Sequence, residues 1–213
     1  MRHSSGKRED ILIMKLLLFS DLHADQAAAR EIVRRSHEAD IVVGAGDLAN
    51  GRRNIDICID VLKAIERPAV LVAGNNESTE ELRDACRVWP SAIVLHGTTA
   101  VVKGVTFFGL GGGVPVTPFG AWSYDFSEEE AAGLLAACPA ECVLVTHSPP
   151  YGVVDLSSQG KHLGSTAVRD TILRTAPELV ICGHIHGSAG QQGVIGETPV
   201  VNAGPAGIVW TLT

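Results

Sequence analysis

Seven side chains that can bind a metal ion follow apolar segments of this chain. The residues before them are mostly aliphatic, as in residues 16–19 before Asp21, and such a run is typical of a strand buried on both faces. Carboxylate oxygens and imidazole nitrogens together suit a divalent transition metal. The pattern therefore predicts a metal site just beyond the ends of several buried strands. The seven candidates are Asp21, His23, Asp47, Asn75, His147, His184 and His186.

The first pair, Asp21 and His23, illustrates how the ligands are expected to converge. Side chains two positions apart in an extended segment point the same way, so both are predicted to face one point beyond the strand. Taken alone, Asp21 also suits a helix cap or turn and His23 a surface loop. Because five strand ends repeat the pattern, and because histidine needs hydrogen-bond partners in a core, metal binding is the favoured interpretation.

Strands and helices alternate along most of the chain, which predicts a fold of the α/β class. Ligands of open α/β sheets bind outside the carboxyl ends of the strands, so the seven side chains should gather at one edge. Ser78 with Glu81, and Ser127 with Glu130, have the spacing of helix capping boxes. The predicted strands are residues 15–20, 40–47, 69–75, 142–146 and 178–182, and the predicted helices are residues 26–37, 55–65, 127–138 and 166–176, with a further helix after Ser78.

Two regions break this alternation. Short apolar segments between residues 92 and 110 predict antiparallel hairpins, and those between residues 190 and 212 predict hairpins that close a sheet. Three glycines at 111–113 open a long loop that lacks the lysine of a phosphate-binding P-loop. We expect one domain over residues 14–213, preceded by a mobile extension at residues 1–13, with Met14 as an alternative translation start.

Composition limits the classes of function. The chain has 213 residues and a net charge of −7, which disfavours extended nucleic-acid binding through a basic surface. No segment reaches the roughly 18 apolar residues of a membrane span, and no signal-peptide cleavage pattern follows the N-terminus, so we expect a cytoplasmic protein without membrane association. The five cysteines are expected to be buried free thiols. Oligomeric state is left open, including a homodimer.

Seven ligands exceed the needs of one metal ion. Two ions about 3.5–4 Å apart that share a carboxylate would use all of them. Such a pair makes hydroxide available near neutral pH and neutralises phosphate oxygens. Phosphoester hydrolysis is the reaction that most needs both effects, and a small phosphoester is the expected substrate.

The order of the motifs resembles the calcineurin-like metallophosphoesterase family over residues 16–212. The resemblance implies a four-layer α/β/β/α sandwich with two mixed sheets and a dinuclear centre of manganese, iron, zinc or nickel, with manganese favoured. By position, it assigns Asp21, His23 and His186 to one ion and Asn75, His147 and His184 to the other, with Asp47 bridging them. The motifs are Asp21-Leu22-His23, Gly46-Asp47, Gly74-Asn75-Asn76-Glu77, Thr146-His147 and Gly183-His184-Ile185-His186.

One position departs from the family pattern. Many members have a histidine after the motif asparagine that binds phosphate and protonates the leaving oxygen, whereas this chain has Asn76. An amide can donate a hydrogen bond to phosphate but cannot act as a general acid, which is typically worth ~10²–10⁴-fold. His162 is the candidate replacement acid, and Lys161 could also meet phosphate. The competing interpretation is a solvated Lys-His pair in a polar loop.

The favoured function is hydrolysis of phosphodiesters by a metal-bridging hydroxide, with Asp47, Asn76 and His162 as catalytic residues. The Pro-Pro-Tyr-Gly segment after His147 is similar to a bacterial and archaeal phosphodiesterase-like branch of the family. One alternative is a phosphomonoesterase, including a protein phosphatase. Another is a scaffold that keeps the fold without catalysis.

Overall fold

The computed structural model describes residues 13–213, which form two β-sheets between two layers of helices. The N-terminal extension predicted for residues 1–13 falls almost wholly on residues 1–12, outside the described part. The elements are β1 (Met14–Phe19), α1 (Gln26–Arg35), β2 (Ile41–Ala45), α2 (Ile55–Leu62), β3 (Ala69–Val72), α3 (Thr79–Ala85), β4 (Ala92–Val94), β5 (Thr98–Val102), β6 (Val105–Leu110), α4 (Glu128–Leu135), β7 (Val143–Thr146), α5 (Thr166–Thr175), β8 (Leu179–Cys182), β9 (Gln192–Ile195), β10 (Thr198–Asn202) and β11 (Ile208–Leu212).

The first sheet has the strand order β11-β1-β2-β3-β4. Strands β1 to β4 are parallel, and β11 pairs antiparallel with β1. Helices α1, α2 and α3 cover its outer face through residues such as Ile32, Ile59 and Leu82. Leu17 and Phe19 of β1 pack under these helices. The continuous apolar run of β1 thus arises because both of its faces are covered.

The second sheet has the order β5-β6-β7-β8-β10-β9. Its four central strands are parallel, and an antiparallel strand lies at each edge. Helices α4 and α5 pack on its outer face, with Leu135 and Ile172 in a buried cluster against Leu144. The two sheets bury their inner faces against each other, with Leu16 and Val145 in one core. The α/β/β/α sandwich predicted from the sequence is confirmed.

Two strand pairings differ from the predictions. Strand β4 pairs parallel with β3 rather than forming a hairpin with the next strand. The reason is that the short helix α3 makes β3-α3-β4 a crossover unit, which places β4 beside β3 in the same direction. Strand β11 joins the first sheet, whereas the hairpin of β9 and β10 belongs to the second. An apolar pattern indicates a strand but does not specify which sheet receives it.

Other local predictions are confirmed. Ser78 and Ser127 begin α3 and α4 with complete capping boxes. All five cysteines are free and buried. Within residues 13–213, no helix has both the length and the apolar character to span a bilayer.

Candidate metal centre

The seven predicted ligands meet at one edge, beyond the carboxyl ends of β1, β2, β3, β7 and β8. Asp21, His23 and His186 form one group whose ligand atoms lie within 4.8 Å of one another. Asp47, His147 and His184 form a second group within the same limit. These oxygen and nitrogen donors are suited to two divalent transition metals.

Asp47 lies between the two groups. Its Oδ1 is 3.4 Å from His147 Nε2, and its Oδ2 is 3.5 Å from His23 Nε2. Asn75 belongs beside the second group, because its Oδ1 is 3.2 Å from His147 Nε2. In the first group, His23 Nε2 and His186 Nε2 are 3.0 Å apart. The arrangement therefore has the shape that two ions with one shared carboxylate require.

Asp21 and His23 converge for a reason other than the one expected. β1 ends at Phe19, and both residues have left-handed backbone, with φ of 58° and 47°. The prediction that they lie in an extended segment is wrong, because the chain has already turned. Asp47 and His184 are also left-handed, with φ of 59° and 66°. Such conformations are costly for non-glycine residues and cluster at functional sites, where surrounding contacts maintain them.

Hydrogen bonds between neighbouring loops maintain these turns. The Asp21 amide donates to the carbonyl of Gly46, and the His23 amide donates to the carbonyl of Asp47, each over 2.9 Å. The His184 amide donates to both carboxylate oxygens of Asp21, over 3.0 and 3.1 Å. Hydrogen bonds between the loops that follow different strands thereby hold the candidate ligands in position.

Two glycines permit the close approach of these loops. A Cβ atom added to Gly74 would lie 2.0 Å from Asp47 Oδ1 and 2.3 Å from the Asp47 amide nitrogen. A Cβ atom added to Gly183 would lie 2.5 Å from Asp21 Oδ2. Both sites need glycine because a side chain would occupy the space of a ligand carboxylate.

Glu77 is a structural part of the centre whose role is not predicted from the sequence. Its buried carboxylate accepts hydrogen bonds from the amides of Asp47 (2.9 Å), Ala49 (2.9 Å) and Gly74 (2.8 Å). It thus joins the loop after β2 to the loop after β3. Its place two residues after Asn75, before a serine that already caps α3, was the available signal. Burial, together with the negative charge of Asp47, raises the pKa of Glu77 to about 7.

The side chains of the second group differ in proton affinity. Burial opposes ionisation of Asp47, but the adjacent imidazoles, His147 foremost, hold its pKa well below the usual value. Burial also opposes the charged form of His147, yet Asp47 raises the pKa of His147 to about 9. Burial and the charge of His147 lower the pKa of His184 to about 4. His184 is therefore neutral at pH 7, whereas a metal must displace a proton from His147.

Hydrogen bonds to residues outside the two metal groups orient two of the ligands. His147 Nδ1 is 2.8 Å from the carbonyl oxygen of Ala45, which leaves Nε2 directed at the centre. The Asn75 Nδ2 donates to Ser123 Oγ over 3.0 Å, which leaves its Oδ1 toward His147. Ser123 in turn donates to Asp125 over 2.9 Å. The long loop after β6 thus supports the centre.

Asn76 is buried beside Asp47. Its Nδ2 donates to Asp47 Oδ2 over 2.6 Å, its amide donates to Asp47 Oδ1 over 2.8 Å, and its Oδ1 accepts from the Gly51 amide over 2.7 Å. Both ends of the side-chain amide are engaged by the protein. These contacts give Asn76 a positioning role toward Asp47, and its contact with phosphate stays a prediction.

His162 does not join the centre. Its Nδ1 lies 2.6 Å from Asp155 Oδ1, and its ring packs near Tyr151 at a centroid distance of 5.7 Å. The adjacent Lys161 and Leu163 line a cavity together with His184 and His186. His162 itself is not among the residues that line that cavity. General acid catalysis by His162 stays a prediction that no contact supports.

The cavity beside the first group has a volume of about 480 Å³. One wall is formed by residues 115–119 of the loop after β6, and the other by residues 157–159, Lys161 and Leu163 of the loop after β7. His184 and His186 lie at its floor with Ile185 and Gly187. A molecule in this cavity would therefore contact candidate ligands of both metal groups.

The family assignment follows from comparison with known proteins. A sequence model described as calcineurin-like phosphoesterase matches residues 14–188, which include all seven ligands. The chain belongs to this family. The family is described as one of phosphoesterases, and the two groups of candidate metal ligands agree with that description.

The individual relatives compared with this chain are distant. A UPF0046 protein of Caenorhabditis elegans is 28% identical over 188 residues, covering 78% of this chain. The chain spans 62% of that protein's length and 16% of a second curated relative. A protein from Thermus thermophilus has a similar fold, with a TM-score of 0.75, 20% identity and coverage of 93% and 98% of the two chains. A dimetal phosphatase from Danio rerio is similar in fold with a TM-score of 0.60 and 14% identity, and the match covers 89% of this chain and 86% of the phosphatase.

Proposed function

We propose that this protein hydrolyses small phosphodiesters with two divalent metal ions held by the seven ligands. The observation that carries the proposal is the position of Asp47. Its two carboxylate oxygens face different groups, one toward His147 and the other toward His23. A bridging carboxylate is what a pair of ions about 3.5–4 Å apart requires.

The bound ions would supply activation of water and neutralisation of the phosphate charge. The chain's own residues supply the geometry. Asn76 and Glu77 hold the Asp47 side chain and main chain, respectively. Lys161 lines the cavity and can attract the phosphoryl group. Manganese is the proposed metal because the resemblance to the family favours it, and the imidazole ligands equally suit iron, zinc or nickel.

The preference for diesters rests on two features. Asn76 cannot protonate a leaving group, which disfavours esters of alcohols with high pKa. Among the described residues that line the cavity, Lys161 is the only lysine or arginine. Beyond the two metal ions, the cavity thus offers one positive side chain, whereas the second negative charge of a monoester would gain from further cationic side chains.

Asp47→Ala tests the proposal, and Asp56→Ala, an exposed change on α2, is the matched control. Manganese-loaded wild type and Asp56→Ala should hold two metal equivalents and hydrolyse an activated aryl phosphodiester. Asp47→Ala should lose the activity and most of the metal, because both groups lose a shared ligand.

The same experiment separates the alternatives. A matched aryl monoester with the higher kcat/KM would identify a phosphomonoesterase. A metal content near zero in the wild type would identify a scaffold. Metal-loaded protein that is inert on a broad panel of mono- and diesters would overturn the proposal. Unchanged kcat in His162→Gln would exclude His162 as the general acid.

A further inference from the structure

Six apolar side chains line part of the cavity beside the candidate metal centre, most of them on the wall formed by the loop after β6. Val116 and Phe119 stand on one wall and Leu163 on the other, with exposed fractions of 63%, 53% and 46%. Pro115 and Pro118 extend the first wall, and Ile185 lies in the floor. Large apolar side chains that face one another across an open cleft are typical of a ligand-binding groove.

The first wall is held in place from behind. Phe119 stacks on Trp122 with ring centroids 5.8 Å apart and an interplanar angle of 20°. Arg52 donates to the Trp122 carbonyl over 3.2 Å while its guanidinium pairs with Glu81. Thr117 donates to Asp125 over 2.6 Å, so this hydroxyl is used within the protein. The aromatic wall is therefore formed before a ligand arrives.

The second wall has its own support. Buried Asp155 accepts hydrogen bonds from the amides of Gly152 and Gly164, over 2.9 and 3.0 Å. The Ser157 amide donates to the Lys161 carbonyl over 2.9 Å, closing the tip of the loop. Leu163 is thus presented to the cleft by a hairpin that is fixed at its base.

We infer that this cleft binds a flat, apolar ester group of the substrate, such as an aryl ring, while the phosphoryl group lies over His184 and His186. The inference rests on the proposed function, because it places the phosphoryl group at the metal centre. A volume of about 480 Å³ is within the usual range of small-ligand sites and exceeds the needs of phosphate alone. The first wall offers only apolar side chains and Thr117, whose hydroxyl is already bonded to Asp125, so a sugar hydroxyl against this wall would lose water without gaining a partner, whereas a planar apolar group would not.

The activity test uses diesters that share one leaving group. Two p-nitrophenyl phosphodiesters are compared, one with methyl and one with phenyl as the second ester group, so that the departing phenolate is the same. Wild type should favour the phenyl diester in kcat/KM by roughly tenfold, the discrimination expected for extra apolar contact in a pocket. Leu163→Ala should reduce this ratio several-fold. Leu173→Ala, an equally conservative change at an exposed leucine on α5, should leave it unchanged.

A binding measurement decides the inference independently of turnover. Calorimetry compares phenylphosphonate with methylphosphonate on manganese-loaded wild type, Leu163→Ala and Leu173→Ala. Tighter binding of the phenyl compound to wild type and Leu173→Ala, with the difference reduced in Leu163→Ala, supports the cleft. Equal binding of the two phosphonates, or a preference that Leu163→Ala retains in full, overturns it. Absence of hydrolysis of both diesters would count against the proposed function alone.

Discussion

Replacing Gly74 by alanine should dismantle the metal centre without unfolding the protein. The added Cβ atom would lie 2.0 Å from Asp47 Oδ1, whereas real Cβ contacts essentially never fall below 3.0 Å. The Asp47 carboxylate must therefore move by about 1 Å, and the Asp47 main chain must shift too, because its amide nitrogen would lie 2.3 Å from the added atom. Metal-ligand distances tolerate only about 0.2 Å, so Asp47 cannot keep its place between the two groups.

The expected magnitudes distinguish damage to the site from damage to the fold. Overpacking costs about 1–3 kcal/mol, which is less than the ~5–15 kcal/mol that keeps a typical domain folded. Loss of even an outer contact to a metal ligand lowers metal affinity by about 10–100-fold, and displacement of the shared ligand should do at least as much. Gly74→Ala should therefore remain folded and bind both ions much more weakly.

The assay combines metal analysis after dialysis with urea unfolding of the metal-free protein. Gly133→Ala is the matched control, because a Cβ atom at this position in α4 meets nothing within 4 Å. The control should keep its metal and gain up to about 1 kcal/mol of stability from better helix propensity. Wild-type metal affinity in Gly74→Ala would refute the reasoning, since Asp47 would then have found room that the structure does not provide.

Three further changes test other parts of the structure. Glu77→Ala leaves three backbone amides without their acceptor, and each unsatisfied amide costs about 1–3 kcal/mol, so we expect a lower free energy of unfolding and weaker metal binding. The exposed change Glu80→Ala should alter neither quantity, and equal stability of the two variants would count against the role of Glu77. Burial lowers the pKa of His96 from its ordinary value of 6.5, so the unfolded chain takes up a proton that the folded chain does not, and stability should decline as the pH decreases below about 6.5. His96→Gln should weaken that decline and exposed His37→Gln should not, as measured by urea unfolding of the metal-free protein at pH 5 and 7.5; parallel curves for all three proteins would contradict the assignment. Asn76→His should raise kcat/KM for monoesters with poor leaving groups, provided that metal analysis shows the centre intact; an unchanged rate would place residue 76 away from the leaving oxygen.

The fold was largely predictable because its local signals agree. A strand covered on both faces must be apolar throughout, and β1 shows this because Leu17 and Phe19 pack under the helices while Leu16 and Leu18 pack between the sheets. The capping boxes at Ser78 and Ser127 marked two helix starts for an equally local reason. The pairing of β4 and β11 was not predictable, since it depends on which sheet has a free edge nearby.

The sequence alone determined which residues could form the centre, because the side-chain types show which residues can bind a metal and their positions after apolar segments show which of them follow a strand. Only the tertiary structure decided how they converge. Left-handed turns at Asp21 and His23, the space that Gly74 leaves for Asp47, and the Glu77 carboxylate between two loops all depend on contacts between distant segments. The contact of His162 with Asp155, outside the residues that line the cavity, was decided in the same way. A sequence specifies which groups are present, whereas catalysis depends on positions accurate to a fraction of an ångström, and these are set by packing.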